Sequence, residues 1–276
     1  MWNHQLTWLS RWINIRLKTF HFFYLFQAPT YTAIQKKKLK KIKLECLLII
    51  SGAHLQNNNA GCINEIKENG YKIVAKIDNL DREDKLKGRL RGLSNQLNKL
   101  VDIVDKVKPD VIIAPYDREE ALTMAICGAY LEIPVVHIGA GDKTLVNVDG
   151  VVRHSVTKLS NFMMTATEES KSRVISMGVD KGNVFNTGHA GIDRFKNIEK
   201  LSKLQIYKYF DFQDISKPLV LFIKHPVSGE IEKSAHQMKV SLDALNSLMM
   251  PVIIIKPNSD PGRKKMVSVL DSYEFS

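Results

Sequence analysis

Residues 111–154 read VIIAPYDREEALTMAICGAYLEIPVVHIGAGDKTLVNVDGVVRH, and this stretch decides the fold. Two apolar β-type runs, Val111–Ala114 and Pro134–Ile138, each lead into a short turn that delivers an aspartate, Asp117 and Asp142. Between them Glu119–Leu131 carries Ala121, Leu122, Ala125, Ile126 and Ala129 at helical spacing. A strand–helix–strand unit makes parallel neighbours whose C-terminal ends open on one side. Ligands of open α/β sheets bind at that edge, so the stretch predicts acidic groups where a substrate sits.

The alternation continues outward. Leu44–Ile50 reads as a strand ending in Ser51-Gly52-Ala53-His54, Gly61–Asn69 as a helix closed by Gly70, and Tyr71–Ile77 as a strand. Leu86–Val107 is a long helix with Leu90, Leu93, Leu97, Leu100, Val101 and Val104 at helical spacing, stopped by Lys108-Pro109-Asp110. Beyond the central stretch come a helix over Val151–Ser160, a strand over Phe162–Ala166, a helix over Glu168–Met177 and a short strand at Val184–Thr187. Thr167 caps the last of these helices and Gly178 ends it.

Residues 29–196 thus form a first α/β domain and the polar, lysine-rich residues 197–216 a connection. Residues 217–276 open a second α/β unit with strands at Leu219–Ile223 and Val252–Lys256 around a helix over Ile231–Leu248. The architecture expected is two doubly wound α/β layers facing a cleft. The second layer is expected to be incomplete, since two strands cannot bury both faces of their helices.

Composition narrows the function classes. Hydrophobic content of 44% and charged content of 25% over 276 residues are ordinary for a globular protein. The net charge of +11 is concentrated: residues 1–43 hold nine Lys or Arg and no acid, which leaves about +2 for the other 233 residues. A nucleic-acid-binding face over the whole fold is therefore not expected. Residues 1–28 read as a basic, aromatic leader, within which Phe20–Phe26 is open to being a first buried strand. Arg11, Arg16, Lys18 and His21 interrupt its apolar character, so neither stable membrane insertion nor a secretory signal is expected. The lysines from Lys36 to Lys43 read as a solvated helix face. Cys46 and Cys127 lie in apolar runs without a CxxC pair, which fits small core residues in a reducing, cytoplasmic setting.

Motifs with built-in chemistry are few. There is no GxxxxGK[ST], HExxH or GxSxG, and Gly139-Ala140-Gly141 only echoes a dinucleotide fingerprint whose third glycine is Thr144. His137, at the end of an apolar strand, reads as a satisfied core histidine. Asp149 and Arg153, four apart at a helix start, can project from one face beside the Asp117/Asp142 edge. Two readings stay open for them: a surface ion pair, or a group that abstracts a proton from a phosphate-bearing substrate.

The runs YDREEAL, IPVVHIGAGD, NVDGVVRHSVTKLS, VFNTGHAGIDR, HPVSGEIEKSAHQMKVSLDAL and PNSDPG together resemble the UDP-N-acetylglucosamine 2-epimerases. The likeness covers roughly residues 29–276 and is greatest to the hydrolysing branch, which makes N-acetylmannosamine for sialic-acid-type sugars. The resemblance implies a GT-B-like pair of Rossmann-like domains with a UDP-sugar in the cleft, no cofactor and no metal, and a homo-oligomer. It also implies a carboxylate that removes the C2 proton while UDP leaves C1. Asp117 matches the aspartate of the family's GDR-type motif and Arg118 its arginine. Asp149 and Arg153 match an acid and an arginine four residues apart, His225 the histidine of an HP motif, and Ser51, Gly52 and His54 a loop bordering the nucleotide.

The chain departs from the pattern at three places. Hydrolysing members often carry a glutamate where Gly139 stands, with Asp142 three residues on as the candidate substitute. Ala28 falls where a glycine–arginine loop would place arginine, and a serine-rich stretch of the second domain is expected past Ser276. A non-hydrolysing epimerase, a related glycosyltransferase and an inactive nucleotide-sugar-binding remnant are the alternatives.

Overall fold

The computed structural model describes residues 20–25, 44–55, 60–68, 70–80, 86–144, 148–189, 191–192, 199–258 and 260–275. Two compact units divide the chain, one of Met1–Asp81 and Arg89–Lys196, the other of Arg82–Gly88 and Asn197–Ser276. The basic part of the leader, Ala28 and the lysines at 36–43 lie outside the described residues.

The first unit is built on strands β1 (Phe20–Leu25), β2 (Leu44–Ser51), β3 (Lys72–Ile77), β4 (Val111–Pro115), β5 (Val135–Ala140), β6 (Phe162–Thr165) and β7 (Val184–Asn186). They form one sheet in the order β3-β2-β1-β4-β5-β6-β7, with every pairing parallel. The segment read mainly as leader thus contributes a central strand, which pairs Phe20 with Leu44 on one side and Phe22 with Val111 on the other. Helices α1 (Ala60–Glu68), α2 (Leu86–Val107), α3 (Glu119–Tyr130), α4 (Asp149–Leu159) and α5 (Glu168–Ser176) supply the crossovers. Strand β5 is buried along nearly its whole length, as parallel strands covered on both faces are.

Two helices bury faces that differ from the expected ones. On α2, Leu90 and Val101 point outward at 68% and 47% exposure. The buried stripe runs instead through Gly88, Gly92, Gln96, Leu100 and Val104, one residue per turn. Gly92 explains the change: a Cβ there would lie 2.0 Å from the Asn79 carbonyl oxygen, so the helix comes close to the β3 end only because that residue has no side chain. Helix α3 is buried more widely than one apolar stripe, through Glu120, Ala121, Thr123, Met124, Ala125, Cys127 and Gly128, while Ala129 is exposed. The core of the unit joins Leu47, Ile49, Leu100, Val104, Ile112, Met124, Val135 and Val156. Helix α5 starts as expected, with the Thr167 hydroxyl accepting from the Ser170 N–H at 3.1 Å.

The second unit holds parallel strands β8 (Val220–Ile223) and β9 (Val252–Ile255) with helices α6 (Lys203–Tyr209), α7 (Ser234–Ser247) and α8 (Arg263–Asp271). Met238, Leu242, Leu245 and Met266 pack on Val220, Phe222, Val252 and Ile254. The alternate side chains Leu221, Ile223 and Ile255 are exposed. The polar connection is not bare coil: α6 opens with a Ser202/Gln205 capping box and buries Tyr207. Among the described residues no helix is long and apolar enough to cross a membrane.

Candidate active site

The C-terminal ends of β4 and β5 carry the site within the first unit. Strand β4 ends at Pro115, and Tyr116 turns the chain with φ +59, so Asp117 emerges before α3 begins. Strand β5 ends in Gly139-Ala140-Gly141, where both glycines have positive φ, and its register against β6 slips between Ile138 and Ala140. That slip turns the Gly139 carbonyl to Arg153, which donates to it from Nη1 at 2.8 Å.

Arg153 organises the acids. Its side chain is 9% exposed; Nη2 pairs with Asp117 Oδ2, and Nη1 lies 3.6 Å from Asp142 Oδ2. Asp142 also accepts from Ser170 Oγ at 2.6 Å, which ties it to α5. Burial raises the pKa of Asp117 above the ordinary carboxylate value. The Arg153 charge opposes that shift, and the nearby Asp149 charge adds to it. A carboxylate so placed is a stronger base than a free aspartate while still held in a fixed direction.

Asp149 stands in the first turn of α4, where the helix dipole favours a negative charge. Its Oδ1 lies 3.6 Å from Nη2 of Arg89, whose Nε pairs with Glu119 on α3. Arg118 reaches Glu119 from the other side, Nε to Oε2 at 3.6 Å. Arg153 and Asp149 therefore work through partners on other elements: the arginine on the β4 and β5 ends, the aspartate on α2.

Ser51, Gly52 and His54 lie at the end of β2 and in the 3-10 turn Gly52–Leu55. Gly52 donates to Asn79 Oδ1 at 2.6 Å, and Asn79 Nδ2 donates to Gln96 Oε1 at 2.5 Å and to Glu120 Oε1 at 3.1 Å. Gln96 in turn donates to Thr123 Oγ1 at 2.8 Å. This buried amide chain fixes the turn against α2 and α3. A Cβ on Gly52, whose φ is +62, would come within 2.8 Å of Glu120 Oε1, so the glycine is required both by space and by backbone.

His137 is fully buried, and burial pushes its pKa down to about 3. Its Nε2 lies 2.8 Å from the Tyr116 carbonyl oxygen, which can only accept, so Nε2 carries the proton of the neutral ring. Nδ1 faces Thr157 Oγ1 at 3.0 Å. His137 thereby ties the turn before Asp117 to α4 without carrying charge. His225 belongs to the second unit, just past β8. It is exposed, and its Nδ1 accepts from the Asn258 N–H at 3.1 Å.

Reading the sequence missed Arg89, Glu119, Glu120, Asn79 and Gln96. The signal available for them was the Gly88, Gly92, Gln96 series at four-residue intervals, which marks a helix stripe in close contact and puts Arg89 next to it. Asn79 carried no such signal.

Comparison with known proteins gives one family. The profile described as UDP-N-acetylglucosamine 2-epimerase matches residues 37–275. A Legionella pneumophila protein named UDP-N,N'-diacetylbacillosamine 2-epimerase (hydrolyzing) is 29% identical over 230 residues, covering 83% of this chain and 60% of its own length. The polysialic acid biosynthesis protein P7 of Escherichia coli is 28% identical over 234 residues, covering 83% and 59%. The chain therefore spans about three fifths of these relatives. In fold it is similar to a crystal structure of UDP-GlcNAc 2-epimerase from Neisseria meningitidis bound to UDP-GlcNAc. The TM-score there is 0.73 at 19% identity, covering 93% of this chain and 71% of that one.

Proposed function

Because the chain belongs to the UDP-N-acetylglucosamine 2-epimerase family, we propose that it acts on a UDP-2-acetamido sugar in the hydrolysing manner, turning UDP-N-acetylglucosamine and water into N-acetylmannosamine and UDP. Asp117 takes the proton from C2 as the C1–O bond to UDP breaks, so the bonding pair leaves with UDP and a C1–C2 double bond remains. Water then adds across that double bond: its oxygen bonds C1 while Asp149 gives a proton to C2 on the opposite face. The proton lost by the water restores Asp149, and Asp117 releases the original C2 proton to solvent. Arg153 holds Asp117 in direction and offers positive charge to the phosphate oxygens. Asp142, anchored by Ser170, balances that arginine. In the second unit His225 accepts from the Asn258 N–H at Nδ1, which makes Nε2 its remaining hydrogen-bonding atom.

The observation that carries this reading is the bridge made by one buried arginine at the C-terminal sheet edge. It touches Asp117 and reaches toward Asp142, and burial makes the first of these a stronger base than usual. The name of the Legionella relative favours a second reading with the same chemistry, in which the sugar is N,N'-diacetylbacillosamine.

Incubating the chain with each UDP-sugar in D2O and following the products by NMR tests both. The expected result is free UDP and a free 2-epimeric sugar carrying one deuterium at C2. A UDP-linked epimer would sink the hydrolysing step. UDP release only when an acceptor is added would point to a glycosyltransferase, and binding without turnover to a remnant.

A further inference from the structure

Tyr116 is the one aromatic residue at the turn that delivers Asp117, and three features single it out. Its φ of +59 is a backbone conformation that side-chain-bearing residues seldom adopt, and such strain gathers where function holds it. Its ring lies against Gly139: a Cβ built at 139 would meet Tyr116 Cδ1 at 2.5 Å and Cε1 at 2.9 Å. The ring also pairs with the exposed imidazole of His189, centroids 5.8 Å apart and tilted by 32°. Gly139 thus has two neighbours at once, the Tyr116 ring over its α-carbon and Arg153 on its carbonyl oxygen. The result is an aromatic wall directly beside the Asp117–Arg153 pair.

We propose that the Tyr116 ring, seated on Gly139 and paired with His189, is a specificity-determining contact that stacks on the apolar face of the hexosamine ring of a UDP-sugar. The inference rests on the UDP-sugar reading above and deepens it. Asp117 is one residue away, and its carboxylate has to reach sugar C2, so the sugar and not the uracil is the part that lies against this wall. A half-buried aromatic ring with two torsions offers a rigid flat surface at small entropic cost. Gly139 keeps that surface in place because any side chain there would displace it.

The test is equilibrium titration with two ligands, UDP and a non-cleavable C-glycosidic analogue of UDP-N-acetylglucosamine, on wild type, Tyr116→Phe and Tyr116→Gly. Glycine suits φ +59 without strain, so Tyr116→Gly retains its fold, which a thermal melt checks. Tyr116→Gly should weaken the analogue about threefold to tenfold and leave UDP within about twofold, while Tyr116→Phe keeps both affinities. Equal weakening of the two ligands, or no weakening of either, would overturn the contact. If wild type binds neither ligand, the UDP-sugar reading falls and this inference with it. Wild-type binding that Tyr116→Gly leaves untouched removes the inference alone. A ligand-free check accompanies it: Gly139→Ala should lower the melting temperature more in wild type than in the Tyr116→Gly background. Equal losses in the two backgrounds would show that the ring does not occupy that space.

Discussion

Helix α3 carries two polar clusters on neighbouring residues of its first turn, and they behave oppositely. Glu119 faces the arginines: with Asp117, Asp142, Asp149, Arg89 and Arg153 it forms a charged group whose acids keep some exposure. Glu120 faces amides, and with Gly52, Asn79, Gln96 and Thr123 it forms a nearly solvent-free chain of hydrogen bonds. The amides of that chain satisfy one another and hold geometry, and Glu120 enters it as an acceptor through Oε1. In the charged group Asp117 lies part-exposed beside a buried guanidinium, and burial sets it above the ordinary carboxylate value. The first cluster therefore suits chemistry and the second suits scaffolding, although both sit at the same end of one sheet.

Substitutions should separate the two. The largest effect is expected for Asp117→Asn, which retains the shape and an acceptor for Arg153 but removes the base. Turnover of a UDP-sugar should fall about 10²–10⁴-fold with the urea midpoint nearly unchanged. Near-wild-type turnover would strip the charged cluster of its assigned chemistry. The scaffold should respond the other way. Gly92→Ala places a methyl 2.0 Å from the Asn79 carbonyl, and backbone cannot give way as a flexible side chain does. A loss of about 1–3 kcal/mol is expected, despite the better helix propensity of alanine, from urea unfolding with an unchanged m-value. A gain in stability at that position would show that α2 has room to spare and that the amide chain is not tightly set.

The charged cluster was more legible in the sequence than the amide chain, for physical reasons. Asp117 and Asp142 follow apolar strands that feed a helix, so topology alone puts them at one edge. Asp149 and Arg153 came from spacing, but spacing could not say that each would find partners on other elements. Asn79, Gln96 and Thr123 are ordinary residue types whose meaning arises only when α2 approaches β3, and that approach depends on Gly92. The leucine spacing on α2 misled for the same reason, since Leu90 faces out once the glycines face in. Strand boundaries were readable to within a residue or two because parallel strands are continuous apolar runs. Strand β1 was the exception, because its run FHFFYL lies in a basic, aromatic context that also suits a leader.

His137 shares one property with each cluster and gives the smallest and most specific test. Its Nε2–H holds the Tyr116 carbonyl beside the charged group, yet its burial keeps it neutral like the amides. In the unfolded chain a histidine titrates near about 6.5, whereas here protonation waits until about 3. Between those values the unfolded state binds a proton that the folded state does not, so this group favours unfolding progressively as pH falls. The slope approaches about 1.4 kcal/mol per pH unit once pH is well below the unfolded value. Above about pH 7.5 the penalty is absent, because the ring is neutral in both states. His137→Gln keeps a donor for the Tyr116 carbonyl and cannot titrate. It should cost about 1–2 kcal/mol at pH 8 through imperfect packing, with the gap to wild type narrowing steadily as urea melts are repeated at pH 7, 6 and 5. Wild-type and variant stabilities that run parallel over that range would mean that His137 takes up a proton in the folded protein as readily as in the unfolded chain, and would place it with the charged cluster instead.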